Sequence, residues 1–280
     1  MKRRGRLAAL VAAALLACGL LAALPGCSSG GASGGSSGGS GTLTVGVRGD
    51  VVGFGQLNER TGKYSGLEVD IAEELANRLG YVDVQFKSVL PENRKQMLLD
   101  GEVDALVACY SISDTRRQNF DFSPAYYTDA SIVMVQNSSL ITDIAQMKGK
   151  TFGTMAGSNT APELVLKLKE LGLTDGVEPE PVADGENKVY RYDTFTLIQL
   201  PSYQALSDAL EQGAVDAAAM DGAIAKTYDN DDRTTLDFQI STQEYGVATQ
   251  KGSELSGKVS DAIQGMLDDG TIATLIDKWN

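Results

Sequence analysis

Short apolar runs alternate with stretches in which apolar residues recur every three or four positions, and the alternation is written twice along the chain. The first pass opens with TLTVGVRG (42–49), which alternates as a strand does. Residues 67–79, LEVDIAEELANRL, then put Ala72, Leu75, Ala76 and Leu79 on one helical face, and Gly80 follows as a stop. VDVQFKSV (82–89) reads as a second strand, PENRKQMLLDG (91–101) as a helix closed by Gly101, and ALVACY (105–110) as a wholly apolar third strand. Strands linked in this order through helices build a mostly parallel sheet covered on both faces.

The pattern then begins again. ASIVMVQ (130–136) reads as a strand, TDIAQMKG (142–149) as a short helix, and KTFGTM (150–155) as a strand. In TAPELVLKLKELG (160–172), Thr160 and Glu163 have capping-box spacing, which makes Thr160 the expected N-cap, and Pro162 suits a first turn. YQALSDALEQG (203–213) is a further helix and AVDAAAMD (214–221) a buried strand. YGVATQ (245–250) and residues 258–280 supply a last strand and helices. Residues 176–200 fit the scheme poorly and read as a strand with an inserted hairpin. The expected architecture is α/β, in two similar lobes.

Before this body comes a different kind of sequence. Lys2 to Arg6 is basic and Leu7 to Ala23 is an Ala/Leu run, the form of a secretory signal over 1–26. It ends Leu24-Pro25-Gly26-Cys27, which resembles a lipobox, so Cys27 is the expected lipidated residue; a plain export signal is the alternative. Residues 28–41 are only Ser, Gly and one Ala, a flexible tether with a reach on the order of 20 Å. With Cys18 in the signal and Cys27 lipidated, Cys109 is left alone and is expected to be a small buried thiol.

The 280-residue chain carries a net charge of −13, and its basic leader makes the remainder more acidic still. Such a body argues against nucleic acid as a partner. It contains no histidine, which excludes His-based triads and His-ligated metals. No cofactor is implied, and no P-loop of the form G-x-x-x-x-G-K-[ST] occurs, so any energy source lies elsewhere.

Ligands of open α/β sheets bind beyond the carboxyl ends of the strands. Arg48 lies there after the first strand, Ser111 to Arg116 after the third, Ser158, Asn159 and Thr160 after the strand ending at 155, and Asp221 after 214–221. One shared site follows from that common location.

The segments TLTVGVRGD, TGKYSGLEVDIAEELANRLG, LLDGEVDALVACYSISDTRRQNFDFSPAYY, MKGKTFGTMAGSNTAPE, EQGAVDAAAMD, EYGVATQKGSEL and IDKWN resemble the family 3 extracellular solute-binding proteins, the amino-acid receptors of ABC importers. The likeness runs over almost all of 42–280. It implies a type II periplasmic-binding-protein fold: lobe 1 from 42–126 plus 245–280, lobe 2 from 131–240, hinges at about 126–130 and 241–245, and a cleft that closes on the ligand. It implies that Arg116 binds the ligand α-carboxylate through parallel N–H···O bonds, with Ser111 in support, and that Asp221 takes the α-ammonium. Arg48 and Arg94 match basic positions of the aspartate/glutamate-binding branch, Tyr203 an aromatic hydroxyl position, and Phe54 a position where relatives place an aromatic against the ligand. A neutral ligand would leave two buried arginines unpaired, so an acidic amino acid is expected. The partners implied are that amino acid and a membrane permease, for a monomeric receptor anchored by lipid. A glutamine-like receptor, a sensor subunit and a dehydratase-type enzyme using Glu68, Glu92 or Asp221 remain as alternatives.

Overall fold

A computed structural model describes residues 41–279; the signal segment, Cys27 and the tether up to residue 40 lie outside them. Two sheets organise the described residues. The first has Thr42–Val47 at its heart, flanked in parallel by Asp83–Ser88 and Ala105–Val107. Ala248–Gln250 and Phe120–Phe122 extend it antiparallel. The second has seven strands, with Ala217–Asp221 between Thr151–Met155 in parallel and Tyr127–Gln136 in antiparallel pairing. We call the two sheets with their helices lobe 1 and lobe 2.

Helices cover both sheets. Leu67–Leu79 turns Ile71, Ala72, Leu75 and Ala76 inward with no more than 2 % exposure, onto Val45, Val47 and the last two helices, Glu254–Asp268 and Thr271–Trp279. Each large side chain so buried contributes about 1.5–3 kcal/mol. In lobe 2, Thr160–Glu170 packs Leu164 and Leu168 into a core with Val133, Val135, Phe152 and Ala219.

Several expectations are refined. The third strand ends at Val107, because Cys109 turns into the left-handed region at φ 44° and breaks the ladder. The helix of 91–101 is the shorter Arg94–Leu99. The helix of 142–149 is a 3-10 turn, Ile144–Met147. The 176–200 segment does contain a hairpin, Val182–Asp184 with Asn187–Arg191, which widens sheet two through Thr196–Leu200. Several elements had no counterpart in the sequence reading, among them the short helix Asp114–Arg117 and the strand Phe120–Phe122. Others are the helix Gly222–Tyr228, the first part of the 13-residue strand Arg233–Tyr245, and a small sheet formed by Asp50–Val51, Gly55–Asn58 and Lys63–Ser65.

The lobes are joined by two antiparallel strands. Tyr127–Gln136 and Arg233–Tyr245 pair from Tyr127 opposite Tyr245 to Gln136 opposite Arg233. Phe54 meets Tyr127 edge-on with ring centres 4.9 Å apart, and Tyr127 stacks on Tyr245 at 5.9 Å. The chain thus crosses through a packed aromatic group.

Candidate functional site: an arginine-lined cleft

The loops that leave the strand ends meet between the lobes. Val52 N–H of lobe 1 donates to Thr227 Oγ1 of lobe 2 at 3.2 Å. Gly157 takes φ +76°, and a Cβ there would stand 2.8 Å from the carbonyl oxygen of Pro91. Only a glycine backbone fits both the conformation and the approach.

The lobe 1 wall is basic. Arg48 follows the first strand and is 1 % exposed. Gly55 lets the next loop lie against it, since a Cβ there would be 2.3 Å from the Arg48 carbonyl oxygen. Its Nε and Nη2 donate to the two Asp50 carboxylate oxygens, each at 2.7 Å. Burial works against the charge, but Asp50 more than offsets it and the guanidinium titrates above its ordinary value. Nη1 is buried without a partner. The expectation that Arg48 lacks a protein counter-ion is therefore corrected: an acid two residues along the chain closes on one edge of the guanidinium.

Arg94 begins the helix Arg94–Leu99 and is buried. Its Nη1 donates to the carbonyl oxygens of Ala108 at 2.7 Å and Cys109 at 3.3 Å, and its Nε has no partner. Tyr110 lies between two guanidiniums, with Arg94 Cζ 4.4 Å and Arg116 Cζ 4.3 Å from its ring centre. Such contacts contribute about 0.5–2 kcal/mol each. Arg116 sits on the four-residue helix Asp114–Arg117, capped by Ser113, and its Nη1 donates to the Ser111 carbonyl oxygen at 2.8 Å. Burial first, then the Arg94 charge, pull the Arg116 guanidinium down to about 10. Arg94 is also lowered, by burial and then by Arg48. Among the described residues neither Arg94 nor Arg116 forms an ion pair. Asp121, five residues along the chain from Arg116, binds Lys251 at 2.9 Å.

The lobe 2 wall is acidic and hydroxylic. Asp221 ends its strand 7 % exposed, accepting from Ser131 Oγ at 2.6 Å and Tyr245 Oη at 2.9 Å. Burial raises its carboxyl above the ordinary range, and Asp129 adds to the rise. Tyr203 opens the helix Tyr203–Glu211, and its ring centre lies 5.3 Å from Arg48 Cζ. Ser158 Oγ donates to the Met155 carbonyl oxygen at 2.8 Å. The N-cap is Asn159, without a side-chain cap bond, and Thr160 is the first helical residue, its hydroxyl buried and unpartnered. That corrects Thr160 as the N-cap. The reason lies in Glu163, whose carboxylate accepts from Asn159, Ser241 and Gln243 and so is not free to close a capping box.

Of the ten residues singled out in sequence, Phe54 packs with the crossing aromatics, Arg48, Arg94, Ser111 and Arg116 belong to lobe 1, and Ser158, Asn159, Thr160, Tyr203 and Asp221 to lobe 2. Sequence reasoning missed Asp50, Glu68 as a brace, and Tyr245. Glu68 is fully buried; one oxygen accepts from Cys109 N–H and Tyr126 Oη, both at 2.6 Å, and the other has no partner. It thereby holds the left-handed Cys109 turn. Cys109 is a free, buried thiol whose burial pushes its pKa well up. An acid in the first turn of an apolar helix was the only available signal for Glu68.

A family model described as bacterial extracellular solute-binding proteins, family 3, matches residues 43–280. The chain belongs to that family. Its members are solute-binding proteins, and the fold is that of type II periplasmic-binding proteins. Among curated relatives, the L-cystine-binding protein TcyJ of Escherichia coli is 30 % identical over 85 % of this chain and 82 % of its own length. The glutamate-binding protein GluB of Corynebacterium glutamicum is 27 % identical over 97 % and 89 %. The glutamine-binding protein GlnH of Bacillus subtilis is 26 % identical over 85 % and 80 %. Among solved structures, an ancestral arginine-binding protein bound to glutamine superposes with a TM-score of 0.68 at 27 % identity, over 85 % of this chain and 97 % of that one.

Proposed function

We propose that this family 3 protein is the extracellular substrate-binding component of an amino-acid ABC importer, with an acidic amino acid, glutamate or aspartate, as ligand. The observation that carries it is the imbalance of the two walls. Arg94 and Arg116 have no carboxylate partner among the described residues, Arg48 retains a free buried Nη1, and Asp221 is buried opposite. In this reading Arg116 clamps the α-carboxylate, supported by Ser111 and by the turn of Ser158, Asn159 and Thr160 at a helix start that no side chain caps. Asp221 takes the α-ammonium. Arg48, Arg94 and Tyr203 meet the side-chain carboxylate, and Phe54 supports the pocket from the crossing strands. Relatives named for amino acids support the ligand class.

The two lobes, 42–126 with 245–280 and 131–240, close about hinges at 126–130 and 241–245, and the closed form is what a permease reads. The export signal and the LPGC motif support anchoring at Cys27 on the outer face of the membrane, where the chain would act as a monomer. Cell fractionation of a Cys27→Ser variant tests the anchor: the chain should leave the membrane fraction.

Isothermal titration with glutamate, aspartate, glutamine and arginine tests the ligand. Acids should bind at least tenfold more tightly than the amide, and arginine least. A second reading, a glutamine-like receptor, is favoured by the Arg48–Asp50 pair, which already neutralises one arginine. A preference for glutamine in the titration would select it.

A further inference from the structure

The Arg48–Asp50 pair has a geometry that bears on ligand charge. It matters where the cleft holds an acidic amino acid, as proposed above. A guanidinium offers a side edge, Nε with one Nη, and an end edge formed by both Nη atoms. Asp50 fills the side edge with two bonds of 2.7 Å. Nη1, on the end edge, has no partner although Arg48 is 1 % exposed. Tyr203 of lobe 2 lies against the same guanidinium at 5.3 Å. A buried donor without an acceptor is destabilising, and a ligand oxygen would relieve it.

We infer that Asp50 is a specificity-determining residue of the cleft: it aims the free edge of Arg48 at the ligand side chain and, as a built-in counter-ion, limits how strongly a carboxylate is preferred there over an amide. Asp50 itself does not touch the ligand. It acts through Arg48, sharing one guanidinium between two oxygen pairs. A carboxylate on the end edge feels the positive charge of Arg48 and the negative charge of Asp50 together, whereas a neutral amide feels only the hydrogen bond. The side chain of Asp50 is 38 % exposed, so its charge is partly screened and its effect is one of degree.

The test is titration of the full chain in detergent with L-glutamate and L-glutamine, for the wild type, Asp50→Asn and Asp50→Glu. Asp50→Asn keeps an oxygen for Nε and removes the charge. The affinity ratio of glutamate to glutamine should rise roughly tenfold in Asp50→Asn, by the Coulomb contribution of one screened charge. Asp50→Glu, which restores the charge, should return the ratio to within about threefold of the wild type. A ratio unchanged in Asp50→Asn, or an equal loss for both ligands, overturns the inference, because Asp50 would then only hold Arg48 in place. If Asp50→Asn does not fold, the ratio in Asp50→Glu decides: a shift beyond about threefold with the charge retained overturns the inference. A wild type that binds neither ligand overturns the acidic-ligand reading, and this inference with it; wild-type binding without the ratio change overturns this inference alone.

Discussion

The two walls of the cleft solve the problem of buried charge in opposite ways. On the lobe 1 side, three arginines crowd together, and two of them rest on an aromatic ring and on carbonyl oxygens instead of carboxylates. On the lobe 2 side, acids and hydroxyls are mostly satisfied by their own neighbours: Asp221 by Ser131 and Tyr245, Glu163 by Asn159, Ser241 and Gln243. Burial, helped by neighbouring like charges, lowers the Arg94 and Arg116 guanidiniums on one wall, and burial raises the Asp221 and Glu163 carboxyls on the other. The difference teaches where a ligand adds most. Anionic groups gain most on the lobe 1 wall, which lacks them, while a cationic group meets a lobe 2 acid already held in place. A ligand carrying both would favour the closed cleft by bridging the walls.

Three experiments break or sharpen that contrast. Arg116→Ala removes one of the two arginines with no carboxylate and should weaken acidic amino-acid binding more than a hundredfold by titration. Two charge-assisted bonds at about 1.5–3 kcal/mol each set that scale. A loss below tenfold would show that Arg116 belongs to lobe 1 structure and not to ligand capture.

Asp221→Asn tests the lobe 2 wall. Binding should fall about thirtyfold, less than for Arg116→Ala, because Ser131 and Tyr245 keep the amide in place. The pH profile has a definite sign. Ammonium binding needs the ionised carboxylate, so protons compete with ligand and wild-type affinity falls as pH falls. Because burial raises Asp221 above the ordinary value of 3.8, the fall begins at a higher pH than an exposed aspartate would give. That component should vanish in Asp221→Asn. An identical profile in both proteins would assign the proton to Glu163 or Glu68.

Gly157→Ala tests whether the walls meet in the ligand-bound state. A methyl would stand 2.8 Å from the Pro91 carbonyl oxygen and strain a φ of +76°. The left-handed conformation alone costs about 1–2 kcal/mol. Affinity should fall five- to tenfold, and small-angle scattering should show less contraction on adding ligand. Unchanged affinity would mean that the bound cleft leaves this contact open.

Much of the fold was legible because burial imposes a period. Leu67–Leu79 follows its apolar spacing to the residue, and Ala217–Asp221 is a run of five buried residues as its composition suggests. Other elements were not legible because their neighbours decide them. Arg233–Tyr245 is a strand that includes Asp237, Gln239, Gln243 and Glu244, held by pairing with Tyr127–Gln136 and not by an apolar rhythm. The third strand stops early because Glu68, 41 residues away in sequence, takes the Cys109 N–H.

The candidate site divides in the same manner. The sequence by itself determined which residues emerge at the carboxyl ends of strands, because chain order and helical crossovers force those ends to one side of each sheet. It also determined that histidine chemistry is absent. Only the tertiary structure decided who partners whom. Asp50 on Arg48, Tyr110 between Arg94 and Arg116, and Glu163 on the crossing strand are contacts of side-chain geometry. Electrostatic pairing depends on distances of a few ångströms, and residue spacing along a folded chain does not specify them.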